Sequence, residues 1–149
     1  MAIALAEHAP EPVDLGRVLE LVAVHDIVEV DAGDTVVFDD AAVAMQHDRE
    51  DAAAARLFGL LPDDQRDRLA SLRAEFDAAE TAEARFARAL DAFQPSWLHW
   101  GDHAYPPPSP LTADEILRHK RPAVGIVPTL WAELRRIVES AARRGLLAR

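Results

Sequence analysis

Apolar side chains recur three and four positions apart along most of this chain, as in Leu15, Val18, Leu19 and Val22, and again in Phe86, Leu90 and Phe93. That is the period of a helix with one buried face. Only short segments alternate apolar and polar residues, so strands are expected to be few or missing and the fold class is all-α. Punctuation residues divide the pattern into helices. An opening helix over Met1–Ala6 meets the Pro10-Glu11-Pro12 break, and Asp14 is placed to cap a second helix that runs through His25 and Asp26. Asp31–Thr35 reads as a turn, and a third helix is expected from about Asp40 to a stop at Gly59. Pro62 opens a fourth helix to about Ala79, and Thr81 caps a fifth that carries Phe86, Leu90, Asp91, Phe93 and Trp97. Gly101 to Pro110 is a Pro-rich exposed loop. Thr112 with Glu115 forms a capping box for a sixth helix ending before Pro122, and a last helix spans Pro128 to Arg144 with Gly145 as its stop. No internal repeat interrupts this order, so residues 1–149 are read as one domain.

Composition narrows the chemistry. With 50% apolar residues in 149, the chain can bury a core of its own. Sixteen Lys and Arg against 26 Asp and Glu leave a net charge of -10, which argues against duplex nucleic acid or an anionic membrane as a partner. Cysteine is absent, so a metal would have to be held by imidazole and carboxylate. No apolar run approaches the roughly 20 residues of a membrane helix, and Met1 to Pro10 lacks the pattern of a signal peptide. The expected compartment is the cytoplasm.

Two places stand out against that background. His25 and Asp26 lie between Val22-Ala23-Val24 and Ile27-Val28, where an unpaired charge is costly, and Glu29 follows one turn later. One imidazole and two carboxylates over one patch suit a divalent cation with a base beside it. A capped helix end whose acids face solvent fits the same spacing. Asp91 sits in an apolar helix beside the small residues Ala84 and Ala87, with Arg88 three positions earlier as its expected ion-pair partner. His47, His99, His103 and His119 read as surface residues, and Trp97 as core packing. Leu130, Trp131, Leu134, Ile137 and Val138 form a stripe suited to core or a dimer interface.

Taken in order, the words His25-Asp26-Ile27-Val28-Glu29 with Gly33-Asp34-Thr35, Leu57-Phe58-Gly59-Leu60-Leu61-Pro62, and Glu83-Ala84-Arg85-Phe86 through Leu90-Asp91 resemble the HD-domain phosphohydrolases, in particular their 5′-deoxynucleotidase-like branch. The resemblance implies an all-helical bundle in which one divalent metal activates water against a phosphate monoester. By position it makes His25, Asp26 and Asp91 metal ligands, Glu29 the acid/base carboxylate, Asp34 a second active-site carboxylate and Arg88 a phosphate-binding cation. The metal implied is Mn, Fe, Co or Zn, the substrate a small nucleotide, and the assembly a homodimer. The family's first metal-binding His belongs to a segment upstream of the position matched by Met1, so the expectation is a chain N-terminally truncated against the family pattern. His8 falls where the family carries a non-ligand aromatic. A catalytically impaired module that binds a nucleotide or protein, and a phosphodiesterase or alarmone hydrolase, are the alternative readings.

Overall fold

A computed structural model of the chain describes residues 1–33, 40–103, 106 and 109–148, without the side chains of 40–44. The described residues form eight α-helices and no strand: α1 (Ala2–Leu5), α2 (Leu15–Val24), α3 (Glu29–Ala32), α4 (Asp40–Phe58), α5 (Asp63–Ala78), α6 (Ala82–Trp100), α7 (Ala113–Val124) and α8 (Pro128–Arg143). The all-α expectation holds, and an isolated parallel bridge between Thr112 and Ala148 is the one strand-like pairing among them.

The capping residues act as their chemistry requires. The Asp14 carboxylate accepts from the backbone N–H of Gly16 at 2.8 Å and of Arg17 at 3.3 Å, which satisfies two orphan donors at the start of α2. Thr81 accepts from Ala84 N–H at 3.1 Å to open α6. At α7 the Thr112 hydroxyl and the Glu115 carboxylate cap each other's backbone, a complete capping box. Gly33, at φ 75°, ends α3 in a conformation that a side chain would strain. Of the turn expected over Asp31–Thr35, Asp31 belongs instead to α3, while Asp34 and Thr35 lie outside the described residues.

One helix boundary departs from expectation for a clear reason. The chain continues helical past Pro122 to Val124, because proline removes a single hydrogen bond in the last turn while that turn places Val124 fully inside the core. Pro95 is likewise carried within α6, whose following turn buries Trp100.

The core is a continuous cluster that includes Val18, Leu21, Val24 and Val28 around α2, Phe86, Leu90 and Phe93 of α6, Ile116 and Val124 of α7, and Leu130, Leu134, Ile137 and Val138 of α8. The last stripe is therefore core, which settles the choice left open above. Trp97 is not core: it is 39% exposed and its ring lies 4.7 Å from that of His103, while Trp100 takes the buried place about one turn further along α6. Helices α2 and α6 are packed together and tied at their first turns, where Asp14 N–H donates to Glu83 Oε1 at 3.0 Å. Arg17 joins α2 to α5 through Glu75, with Nη2 to Oε2 at 2.5 Å. These ties set the end of α2 beside the middle of α6.

Candidate metal centre

The second helix does not run straight through the His-Asp pair. α2 stops at Val24, and His25–Val28 form a turn of tighter 3-10 helix before α3 begins at Glu29. Three residues per turn place Asp26 and Glu29 above one another, and such tightened turns occur where side chains must be re-aimed. Neighbours in sequence then part company in environment. The His25 side chain is 12% exposed and its ring lies 4.2 Å from that of Phe76 on α5, whereas the Asp26 side chain is 59% exposed. Asp91 reaches the same place from α6.

The distances define the chemistry. His25 Nδ1 lies 3.1 Å from the carbonyl of Val22, the arrangement in which an Nδ1–H donates to it and leaves the lone pair on Nε2. Asp26 Oδ1 is 2.9 Å and Asp91 Oδ1 3.3 Å from that Nε2. Neither oxygen lies along the ring's N–H direction, so Nε2 is a buried nitrogen without a hydrogen-bond partner. An orphaned imidazole nitrogen facing two carboxylate oxygens, with the other ring nitrogen held by a backbone carbonyl, fits a divalent cation of the Mn, Fe, Co or Zn type. The ligand atoms of His25, Asp26 and Asp91 all lie within 4.8 Å of one another, and they are the one such group among the described residues. His8, in the turn after α1, is not part of it.

The remaining candidates fall around this centre. Glu29 is half-buried at the start of α3. Asp34 lies outside the described residues. Arg88 does not form the expected ion pair with Asp91; its Nη1 donates to the Asp77 carbonyl at 2.8 Å and its guanidinium stands 5.9 Å from the centroid of the Phe76 ring. Arg88 lines a cleft of about 240 Å³ with Arg85, Pro122, Ala123 and Ile126. His47 is exposed as expected and pairs with Asp51 at 3.5 Å. Two residues near the centre escaped the sequence reading. Phe76 backs His25, and Lys120 of α7 is a partly buried cation whose pKa burial lowers, against the opposing charge of Asp91. The signal for Lys120 was its place midway between Ile116 and Val124 on a helical stripe.

Comparisons with known proteins identify the family. A family model described as an HD domain matches residues 1–110. The chain belongs to the HD-domain family. A solved structure from Magnetospirillum magnetotacticum MS-1, described as a predicted metal-dependent phosphohydrolase, is 42% identical to this HD domain with a TM-score of 0.77, covering 100% of this chain and 75% of that one. A 5′-deoxynucleotidase HDDC2 from Bos taurus is 33% identical over 91 residues, 61% of this chain and 44% of the relative. The Homo sapiens protein of the same name is 36% identical over 75 residues, 50% of this chain and 37% of the relative. The HD domain thus aligns with less than half the length of these curated relatives. No helix among its described residues is long and apolar enough to cross a membrane.

The same geometry sets a pH dependence. Burial lowers the pKa of His25, but the Asp91 and Asp26 carboxylates and the Val22 carbonyl outweigh it, and the ring titrates above its ordinary 6.5. In the metal-free HD domain the charged ring therefore contributes stability that is fully present below the unfolded pKa and is lost as pH rises through the raised folded value. A cation needs the neutral ring, so metal affinity should climb with pH up to that raised pKa and level off above it. Calorimetric Mn²⁺ titrations at a series of pH values check this, and an affinity flat across the range would remove His25 from the ligand set.

Proposed function

We propose that this HD domain is a metal-dependent hydrolase of nucleotide phosphate monoesters, with 5′-deoxynucleoside monophosphates as the first substrates to test. The observation that carries the reading is the meeting of His25, Asp26 and Asp91 around a buried, unpartnered imidazole nitrogen. Names of relatives support the substrate class, since those 33% and 36% identical are 5′-deoxynucleotidases. A divalent cation held by His25, Asp26 and Asp91 would supply Lewis acidity toward water and the phosphoryl group.

The chain's own residues then have distinct work. A carboxylate oxygen of Glu29, one turn beyond Asp26, takes the proton of the attacking water and returns one to the leaving alkoxide. The water oxygen bonds to phosphorus as the ester P–O bond breaks, giving nucleoside and inorganic phosphate. Asp34 is assigned a supporting carboxylate role from the family pattern alone. A phosphate dianion must approach several acids, and Arg88 offsets part of that repulsion with the donors it keeps beyond the one given to Asp77. Phe76 holds the His25 ring against rotation.

The test is phosphate release from a panel of deoxynucleoside and ribonucleoside monophosphates by the purified chain loaded with Mn²⁺ or Co²⁺. Release from at least one supports the reading. Thermal stabilisation by a nucleotide with no release from any of them would make the chain a binding module instead.

A further inference from the structure

Helix α5 buries one charged residue among its core positions. Arg73 is 8% exposed and shares the covered face of the helix with Leu72 and Phe76. A guanidinium taken out of water is costly unless carboxylates meet it, and here three do. Nη1 donates to Asp51 Oδ1 at 2.7 Å, Nη2 stands 3.5 Å from Glu50 Oε2, and Nε stands 3.6 Å from Asp77 Oδ2. Glu50 and Asp51 belong to α4, and Asp77 lies one turn further along α5. Glu50 is held in turn by Gln46, whose amide donates to its other oxygen at 2.5 Å. Close packing does not join the two helices at this level. A cleft of about 350 Å³ opens between them, walled by Ala54 and Phe58 of α4 and by Ala70 and Ala74 of α5, with Arg73 and Asp77 also lining it. The alanines leave this space unfilled, so the ion pairs of Arg73, rather than interdigitated side chains, tie α5 to α4 here.

The same stretch of α5 meets the candidate centre twice. Phe76, three residues after Arg73, sets its ring 4.2 Å from that of His25. Asp77, four residues after Arg73, turns its carboxylate to Arg73 and gives its backbone carbonyl to Arg88 Nη1 at 2.8 Å. The Arg88 guanidinium stands 5.9 Å from the centroid of the Phe76 ring, which joins the two contacts. We infer that Arg73 is a positioning residue of the His25–Asp26–Asp91 centre: by tying α5 to α4 it holds Phe76 against the His25 ring and the Asp77 carbonyl at Arg88. This assignment rests on the metal-dependent reading of that centre. Arg73 acts through Phe76 and Asp77, not at the reacting atoms. Arginine suits the task because its planar fork meets carboxylates of two helices at fixed angles, which a lysine ammonium on a flexible stem does not.

Arg73→Lys keeps the charge and loses the fork, and Arg73→Met keeps an unbranched side chain and loses both. Ile137→Val, which trims a buried side chain of α8, is the comparison for stability alone. The probe is Mn²⁺, titrated by calorimetry into the full chain well below the lowest melting temperature, with NMR of the His25 ring in the metal-free proteins. The expected result is Mn²⁺ affinity roughly tenfold weaker in Arg73→Met and partly recovered in Arg73→Lys, because a residue that orients a ligand without touching the metal commonly carries that much. The His25 ring resonances should broaden in Arg73→Met as Phe76 loosens. Ile137→Val should melt lower than the unchanged chain and bind Mn²⁺ equally well. Arg73→Lys, the milder change, carries the test where Arg73→Met does not fold. Mn²⁺ affinity in the Arg73 variants equal to that of the unchanged chain overturns the assignment and leaves the hydrolase reading standing. An affinity loss that Ile137→Val shares in proportion to its melting temperature makes Arg73 a purely structural residue and overturns it too. An unchanged chain that binds no Mn²⁺ overturns both the assignment and the hydrolase reading.

Discussion

Asp91→Ala should abolish tight metal binding and lower phosphate release on the order of a thousandfold, the consequence of losing several kcal/mol of charge stabilisation at the phosphoryl group. The substitution is a clean one. Asp91 stands on a helix face with Ala84 and Ala87, its side chain is 43% exposed, and alanine is the best helix former. The metal-free fold should therefore survive, with a melting temperature close to that of the unchanged chain. His25 should respond as well, because one of the two carboxylates that raise its pKa is gone, and its ring should titrate lower by NMR. Retention of full metal affinity in Asp91→Ala would show that the cation sits elsewhere.

Glu29→Gln should separate proton transfer from metal binding. Glutamine has nearly the shape of glutamate and cannot take a proton from water, so turnover should fall roughly 10²- to 10⁴-fold while metal affinity stays within a few-fold. The tight turn from His25 to Val28 supports the division of roles: it sends His25 inward to Phe76 and sets Glu29 one turn past Asp26 at the head of α3. A parallel loss of metal and turnover would move Glu29 into the ligand shell. Unchanged turnover would remove it from catalysis.

Most of the fold was legible residue by residue. Asp14, Thr81 and the Thr112–Glu115 box cap the helices they were expected to cap, since a short polar side chain before an apolar run satisfies backbone donors whatever the rest of the chain does. Pro122 misled for the converse reason. Its local cost is one hydrogen bond, and the burial of Val124, visible only once α7 lies on the core, outweighs it. Trp97 was expected in the core because a large aromatic on an apolar helix satisfies the sequence pattern, and only the packed helices show that Trp100 is the one covered.

The candidate site divides along the same line. Sequence by itself determined the helical class, the caps, the absence of thiolate chemistry and the words around His25, Asp26, Glu29 and Asp91 that mark the family, because each depends on residue type and local spacing. Tertiary structure alone decided that Asp91 comes to within 3.3 Å of His25 Nε2, that Arg88 turns to Asp77 and Phe76, and that Phe76 backs the His25 ring. Those pairings join residues far apart in the chain, and their distances follow from how α2, α5, α6 and α7 close over a shared core.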